Sequence, residues 1–369
     1  MTTAGTSAPV LDRRTLNRTL LTRQLLLERV RRSPLEVVEH LVGLQAQEPP
    51  DPYVALWSRI EAFDPRVLSR LLEDREAVRM GHLRGTLHLV SAGDALAHYP
   101  ILADVMARSW RSSPFIRRLD GIDVDAVLAR AREAVEERPR TPSELGAVLA
   151  EHWPDRDPTS LAYAARFLLP LVQVPPRGLW GRTGRPTNTT AEAWLGASMA
   201  EGPSVEDLVM RYLAVFGPAT VGDMRVWSWL TGLREVVDRL RPRLRTYRDE
   251  AGRELFDVPD GPIAHPDLPA PVRFLPQYDN VFLSHEDRSR INGELSWGIE
   301  FGWKGPILID GGIAAAWRVR RAGKTAVMTV ELGRRLSPSE RAELEGEATR
   351  LGTFLDPERT RELVIVEPG

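Results

Sequence analysis

Two short β-like runs meet at Arg84-Gly85 in the segment Ala77-Val-Arg-Met-Gly-His-Leu-Arg-Gly-Thr-Leu-His-Leu-Val90. Runs of this length and composition on either side of a glycine predict a β-hairpin. The chain before the hairpin reads as helical, and it includes a strong helix start at Ser33-Pro34, because proline fits the first turn of a helix. Helices followed by a hairpin predict a winged helix-turn-helix unit.

The same order recurs twice further along the chain. Thr141-Pro-Ser-Glu144 has the residues of a capping box and predicts a helix start inside the second set. In the first set, the predicted helices before the hairpin lie at 13–32, from 33, at 52–60 and at 65–72. In the second set, helices are predicted at 124–137, from 141 and at 158–169, followed by strands at 171–174 and 179–180. In the third set, helices are predicted at 204–216, 220–229 and 233–240, followed by a strand that holds Phe256 and Val258. Linkers are predicted near 113–121 and 187–203.

The chain changes character beyond Gly261, where a run of prolines is followed by mostly β-like segments. A series of short strands predicts a small barrel or curled sheet packed on the helical units. The predicted strands lie at 272–275, 281–284, 299–301, 307–309, 314–320, 325–331 and 362–366, with a helix at 338–351. The predicted fold class is α+β, mainly helical, with three tandem winged-helix units and a C-terminal β-barrel. The predicted boundaries are a disordered tail at 1–10, winged helices at 11–112, 122–190 and 203–260, and a barrel at 261–369.

Composition narrows the class of protein. The length of 369 residues exceeds one ordinary core, and the hydrophobic content of 43% and charged content of 27% are typical of globular proteins. The absence of cysteine excludes a disulfide, a thiolate zinc site and a thiol nucleophile. The 7 histidines are scattered without a metal-ligand spacing, so we expect no metal and no cofactor. No signal peptide and no apolar run long enough to cross a bilayer are present, so we expect a cytoplasmic protein without membrane contact.

Basic residues are unevenly placed along a chain whose net charge is only −2. They cluster in the first helix, the second hairpin, the segment 234–248 and the tip 318–324. Each cluster alone is more often a solvated face, but their coincidence with helix-turn-helix elements favours a protein that follows a DNA duplex. The candidate DNA contacts are Arg13, Arg14, Arg84, His88, Arg177, Arg182, Arg239, Arg243, Arg318, Arg320, Arg321 and Lys324. For His88, a structural role in the first hairpin is the competing interpretation.

Two glutamines precede two prolines in the segment Gly43-Leu-Gln-Ala-Gln-Glu-Pro-Pro-Asp-Pro-Tyr53. On a regular helix Gln45 and Gln47 would point roughly 200° apart. On extended backbone, side chains two positions apart face one point. Two neutral amides could then converge on a small target such as a water molecule. The alternative is a frayed, solvated helix end.

The chain resembles the AlkZ-like DNA glycosylases, a family of tandem winged-helix bacterial enzymes. The resemblance is carried by Gln45-Ala46-Gln47, by Leu83-Arg-Gly-Thr-Leu-His-Leu-Val-Ser-Ala92 and by the block from Leu275-Pro276 to Arg288-Ser-Arg290, and it covers about residues 11–355. One departure is visible, because the family pattern has Phe-Asp-Pro where this chain has Tyr278-Asp279-Asn280.

The resemblance implies a fold, an activity and a site. The fold is three winged helices in a C shape around DNA with a C-terminal β-barrel, and we expect a monomer. The activity is hydrolysis of the N-glycosidic bond of bulky N7-alkylated purines in double-stranded DNA, in some members including interstrand crosslinks. Some members confer self-resistance to a genotoxic natural product. Gln45 and Gln47 are implied as the catalytic residues of the AlkZ-type branch, whose sister branch has aspartate at the second position.

Glutamine chemistry fits such a reaction. A carboxamide is a very weak base, but it can hold and orient a water molecule. That suffices only when the leaving group is already good, and an N7-alkylpurine is cationic and leaves as a neutral base. No lysine nucleophile lies near Gln45 in sequence, so we expect a monofunctional glycosylase. Glu48 is a candidate supporting carboxylate or simply an exposed residue. The competing hypothesis is a non-catalytic winged-helix DNA-binding protein or regulator.

Overall fold

A computed structural model describes residues 8–202, 204–292 and 304–368 of the chain. The fold is α+β and mainly helical, as predicted. In these residues the α-helices are α1 Arg13–Arg23, α2 Pro34–His40, α3 Asp51–Trp57, α4 Pro65–Glu73, α5 Ala92–Arg111, α6 Val124–Glu137, α7 Pro142–Ala150, α8 Pro158–Leu168, α9 Ala191–Leu195, α10 Val205–Phe216, α11 Val221–Ser228, α12 Leu233–Leu240, α13 Asn280–Leu283, α14 Ser289–Asn292 and α15 Pro338–Leu355. Short 3₁₀ turns span Leu83–Gly85, Ile116–Leu119 and Arg241–Arg243.

The strands of the described residues form three sheets. The strands are β1 Val10–Leu11, β2 Leu44–Gln45, β3 Ala77–Gly81, β4 Leu87–Ser91, β5 Leu171–Val174, β6 Thr187–Thr190, β7 Arg245–Asp249, β8 Glu254–Asp257, β9 Arg273–Phe274, β10 Gly305–Ile309, β11 Gly312–Ala322, β12 Thr325–Leu332 and β13 Thr360–Val366. Their orders are β1-β7-β8, β2-β4-β3-β5-β6 and β13-β12-β11-β10-β9.

Helix caps explain why most helices begin where the sequence predicts. Ser33 and Thr141 each accept a hydrogen bond from the backbone three residues on, while Glu36 and Glu144 bond back to the cap. These reciprocal bonds satisfy backbone donors that a helix start leaves free. The first helix is shorter than predicted, because it ends at Arg23 and Leu25 then adopts a left-handed backbone conformation with φ of 58°.

Helix α5 was not predicted. Its 20 residues begin at Ala92, directly after the capping residue Ser91, and include Gly93 and Pro100, two residues of low helix propensity. Pro100 also removes one backbone hydrogen bond from the helix interior. Burial of Leu102 and Met106 and of other apolar residues on α5 offsets those costs, so tertiary packing decides the structure here.

The first two hairpins form one continuous sheet. The predicted hairpin β3–β4 is present, and β3 also pairs with β5 through the register Arg79↔Gln173 and Met80↔Val172. The return strand of the second hairpin was misplaced in the prediction: it is β6, which lies inside the predicted linker, and the predicted strand 179–180 does not form. Helices α6, α7 and α8 precede this hairpin, and α10, α11 and α12 precede the third hairpin, β7–β8.

The C-terminal region is an open sheet in the described residues, which corrects the predicted barrel. Strands β9 and β13 form its two edges and do not pair with each other. Helix α15 connects β12 to the parallel strand β13 and packs Leu344, Ala348 and Leu351 against the sheet. Because a helix already buries this face, the sheet gains nothing from closing on itself. The predicted strand 299–301 lies outside the described residues, as do residues 1–7 of the predicted tail.

A second correction concerns the segment 281–284. It was predicted as a strand, but Asn280–Leu283 is a short helix capped by the side chain of Asp279. A brief apolar run fits a buried helix as well as a strand, so periodicity alone does not separate them. No helix among the described residues is long and apolar enough to cross a membrane.

Candidate active site

A sharp change of backbone direction brings the glutamine segment into the central sheet. Helix α2 ends at His40, and both Val42 (φ 57°) and Gly43 (φ 94°) adopt left-handed conformations. A Cβ atom at position 43 would lie 2.7 Å from Val90 Cγ1 and 3.1 Å from the carbonyl oxygen of Leu89. Glycine is therefore required for β2 to approach β4 so closely.

The two glutamines meet because the backbone here is extended rather than helical. In β2, Gln45 pairs with His88, and the next residue, Ala46, donates its N–H to the carbonyl of Leu87 over 2.8 Å. Gln45 Nε2 donates to Gln47 Oε1 over 2.6 Å. Gln45 is buried, at 6% exposure, whereas Gln47 is exposed. The pair therefore has one buried member and one member that can reach a ligand.

The contact with Arg84 indicates the direction of the Gln45 amide. Its guanidinium carries only donors, and Nη2 lies 2.8 Å from Gln45 Oε1, so the Gln45 atom on that side must be the carbonyl oxygen. The amino group of Gln45 then faces Gln47. Arg84 Nη1 donates to the carbonyl of Trp227 over 2.8 Å and holds the guanidinium in place.

His88 completes the surroundings of Arg84. Its Nδ1 lies 3.0 Å from the carbonyl oxygen of Thr86, which can only accept, so Nδ1 carries the proton. Its Nε2 then faces Arg84 Nη2 at 3.4 Å as an acceptor. Burial, helped by the charge of Arg84, lowers the pKa of His88 to about 3. Burial also lowers the pKa of Arg84 to about 10, so the arginine is charged and the histidine neutral near pH 7.

The burial of Arg84 and His88 argues against their predicted role as DNA contacts. Both side chains are buried, at 8% and 0% exposure, and both are directed at protein groups. A phosphate contact requires an exposed donor, which neither residue offers. Their position beside Gln45 follows from the β2–β4 pairing, which carries no signal in the sequence.

Further polar contacts hold the backbone on either side of the glutamines. Arg79 Nη2 donates to the carbonyl of Ala46 over 2.7 Å, and Asn280 Nδ2 donates to the carbonyl of Gly43 over 2.7 Å. The neighbouring Asp279 forms a two-pronged ion pair with Arg59, with both N–O distances at 2.8 Å and both side chains buried. The segment that contains Asp279 and Asn280 is thus hydrogen-bonded directly to the glutamine segment.

A cavity of about 420 Å³ opens beside Gln47. Gln47 and Glu48 line one side of it, and residues of α8, β5 and β6 line another. The lining also includes aromatic, amide and basic side chains, which suits a flat polar group such as a nucleobase or its adduct. The lining residues that the sequence analysis missed are Arg166, Phe167, Gln173, Asn188 and Tyr278.

An acidic group lies next to the glutamines. Burial, together with the charges of Glu48 and Asp279, raises the pKa of Asp51 to about 7, so this carboxyl is only partly ionised near neutral pH. Burial and the charges of Asp51 and Glu48 also raise the pKa of Tyr278. Glu48 contributes negative charge to the cavity lining, and Arg166 and Arg177 contribute positive charge to other parts of it.

The remaining predicted DNA contacts are exposed or partly exposed and lie on several elements. Four of them have a carboxylate within 4.0 Å, in the pairs Arg14–Asp310, Arg239–Glu206, Arg318–Glu331 and Arg321–Asp356. Among the described residues, the members without such a carboxylate partner are Arg13, Arg177, Arg182, Arg243, Arg320 and Lys324. The last two lie at the tip of the β11–β12 hairpin.

Three buried histidines pack in a row beside the site. The ring of His82 lies 5.6 Å from that of His88 and 5.4 Å from that of His98, and neither nitrogen of His82 has a hydrogen-bond partner in the described residues. Burial lowers the pKa of His98 to about 4 and that of His82 well below its usual range. No group of three or more histidine or acidic residues in the described chain is arranged to hold a metal ion.

These neutral histidines predict a loss of stability in acid. In an unfolded chain histidine titrates near pH 6.5, so below that pH only the unfolded state takes up these protons. The free energy of unfolding should fall by ~1.4 kcal/mol per pH unit for each such histidine, from roughly pH 6.5 down to the folded pKa. For His98 this window extends to about pH 4.

Urea unfolding of His98→Gln, measured across that range, tests the expectation. The variant should lose stability less steeply with falling pH than the unaltered protein. His265→Gln is the matched control, because it removes a solvent-exposed imidazole and should leave the slope unchanged. Equal slopes in His98→Gln and the unaltered protein would show that His98 is not held neutral.

Comparisons with known proteins find a family match and a similar solved fold. The model of the family described as "DNA glycosylase AlkZ-like" matches residues 38–354. The fold is similar to the solved structure of Streptomyces sahachiroi DNA glycosylase AlkZ, with 20% sequence identity and a TM-score of 0.73, over 97% of this chain and 100% of that one. No curated protein sequence matches the chain.

Proposed function

Because this chain belongs to the AlkZ-like DNA glycosylase family, and is therefore a DNA N-glycosylase, we propose that its substrates are bulky N7-alkylated purines in duplex DNA. The observation that carries the proposal is the hydrogen-bonded pair Gln45–Gln47 at the edge of a cavity lined by both polar and aromatic groups. The three helix–hairpin sets act in this proposal as winged helices that hold the duplex.

The two glutamines orient the attacking water in the proposed mechanism. Gln47 Oε1 accepts one bond from Gln45 and retains a second lone pair, which can accept a hydrogen from water. The oxygen of that water can then face the C1′ carbon of the sugar. The carbonyl dipoles also stabilise the positive charge that develops on the sugar ring as the bond breaks.

The charge of the substrate explains why no strong base is needed. An N7-alkylated purine is already cationic, and it departs as a neutral base when the glycosidic bond breaks. In this proposal Glu48 places a negative charge beside Gln47, which favours the cationic lesion over an undamaged base, while Arg166 and Arg177 of the same lining face the phosphates of the DNA. We therefore expect little activity on uncharged purines.

The proposal is tested by base release from a duplex with a single N7-methylguanine, followed as abasic sites. Wild-type protein should release the base, and Gln47→Ala should lower the rate by at least about 10²-fold without weakening DNA binding. Glu48→Gln removes one nearby charge but leaves both glutamines in place, so it should lower the rate by no more than about tenfold. Tight binding without release by the wild-type protein would leave the competing hypothesis, a DNA-binding protein that does no chemistry.

A second substrate separates two biological roles. A duplex with an N7–N7 nitrogen-mustard crosslink should be unhooked if the cavity accepts a nucleobase that remains tethered to the other strand. Release of N7-methylguanine without unhooking would restrict the enzyme to monoadducts. A dedicated self-resistance role would show as a strong preference for one bulky natural-product adduct over both duplexes.

The hairpin β11–β12 is proposed as a DNA contact through its tip. Arg320→Glu with Lys324→Glu should weaken binding to every duplex by a similar factor, and should reduce the slope of log affinity against log salt by about 2, one for each lost phosphate contact. Arg341→Glu serves as the control, because Arg341 already pairs with Glu345 and Glu367. A salt slope that does not change would remove the tip from the interface.

A further inference from the structure

Arg84 is an unusual residue to keep inside a protein. Its backbone is left-handed (φ 57°), its side chain is 8% exposed, and no carboxylate of the described residues pairs with it. Both the backbone conformation and the buried, unpaired charge oppose folding. A residue that carries two such costs marks a place where its contacts serve something other than stability.

The contacts of Arg84 form an ordered series of donors and acceptors. His88 donates from Nδ1 to a carbonyl and accepts from Arg84 at Nε2. Arg84 donates to Gln45 Oε1, and Gln45 donates to Gln47 Oε1. Each step fixes the next, because arginine cannot accept and an amide has one accepting and one donating end. If either amide were reversed, two donors or two acceptors would face each other.

We propose that Arg84 is a positioning residue for base release, which sets the direction of the Gln45 amide and, through it, the direction of the Gln47 amide. The inference rests on the proposed glycosylase mechanism and deepens it. With Arg84 in place, Gln47 keeps its carbonyl oxygen toward Gln45 and both amino hydrogens free. Without Arg84, the Gln45 amide can rotate by 180°, and the Gln47 amide that follows it then presents the wrong end to the water.

A double-mutant cycle tests whether Arg84 acts through Gln45. In the wild-type background, Arg84→Met should slow single-turnover release of N7-methylguanine by about 10²-fold. In the Gln45→Ala background, the same substitution should slow it by less than about threefold, because there is no longer an amide to orient. The affinity for DNA should be the same in all four proteins. A purely structural Arg84 would instead lower the rate by the same factor in both backgrounds.

Two further variants make the cycle decisive. Arg140→Met removes an arginine of equal burial that bonds to Ala134 and Glu137, away from the glutamines, and its effects should be independent of Gln45. If Arg84→Met does not fold, Arg84→Lys retains one donor and a positive charge. Its loss of rate should be smaller in the wild-type background and absent with Gln45→Ala, whereas equal losses in both backgrounds would overturn the proposal.

Side-chain NMR tests the same assignment without any catalysis. In protein labelled with ¹⁵N-glutamine, the Gln45 amide resonance, identified by its disappearance in Gln45→Ala, should be protected from exchange with solvent. Arg84→Met should remove that protection. If the wild-type protein releases no base but Gln45 is protected and depends on Arg84, then the proposed function fails, while the orientation of the Gln45 amide by Arg84 stands. An unprotected Gln45 in an active wild-type enzyme would overturn the positioning role alone.

Discussion

Gln45→Glu is expected to slow base release by about 10²–10³-fold, whereas Gln47→Glu is expected to leave the rate within about tenfold. The two substitutions are chemically identical, so the difference comes from position alone. Glutamate at position 45 can still accept from Arg84 but has nothing to donate to Gln47. In the unaltered protein, Gln45 Nε2 lies 2.6 Å from Gln47 Oε1. In the variant, the second carboxylate oxygen of residue 45 would take the place of that nitrogen and face Gln47 Oε1. Gln47 must then turn its amino group toward residue 45.

Glutamate at position 47 keeps every bond of the series. Gln45 Nε2 still donates to an oxygen, and the carboxylate still offers a lone pair to water. The Gln47→Glu enzyme should also acquire an acid limb in its pH–rate profile, because a protonated carboxyl accepts more weakly. Single-turnover rates for both variants across pH provide the measurement. Similar losses at both positions would show that the direction of the amides does not matter.

Arg59→Met is expected to lower the free energy of unfolding by ~3–5 kcal/mol. Arg59 and Asp279 are 0% and 1% exposed, so removing the arginine leaves a carboxylate without its counter-charge in the interior. Arg59 also donates to the carbonyls of Gln24 and Ala55, and these acceptors would lose their partners too. A loss of this size is a large fraction of the stability of most domains.

Two companion variants identify the cause of that loss. Arg59→Met combined with Asp279→Leu should recover part of the stability, because a well-packed apolar pair removes the orphaned charge. Arg31→Met breaks the exposed pair Arg31–Glu61 and should not change stability measurably. Chemical denaturation of the four proteins distinguishes these outcomes. A double variant no more stable than Arg59→Met would assign the loss to packing rather than to charge.

Local signals in the sequence are sufficient for much of the helical part of the fold. Ser33, Thr141 and Ser204 cap helices that begin where predicted, since a cap and an apolar stripe act within a few residues of each other. The prediction failed where distant packing decides. Helix α5 forms despite Pro100, and the C-terminal sheet is open because α15 covers it.

The site was predictable only in part, for a related reason. The sequence indicates that Gln45 and Gln47 converge if the backbone is extended, and their hydrogen bond confirms that geometry. The sequence does not indicate that the chain turns at Val42. A β-branched residue rarely adopts the left-handed backbone conformation that Val42 has here. Nor does the sequence reveal that Arg84 is buried, because arginine is exposed in most proteins and its destination lies on a strand far away in sequence.

The sheet shared by the first two hairpins has a consequence for mechanics. Backbone hydrogen bonds across Arg79↔Gln173 and Met80↔Val172 join the part of the chain before residue 113 to the part after residue 121. A hinge motion at segment 113–121 would have to break these hydrogen bonds. The linker predicted there is therefore not expected to act as a hinge. These bonds help to fix the width of the cavity beside Gln47, so under the proposed function a lesion too large for the cavity would be accommodated by distortion of the duplex rather than by opening of the protein.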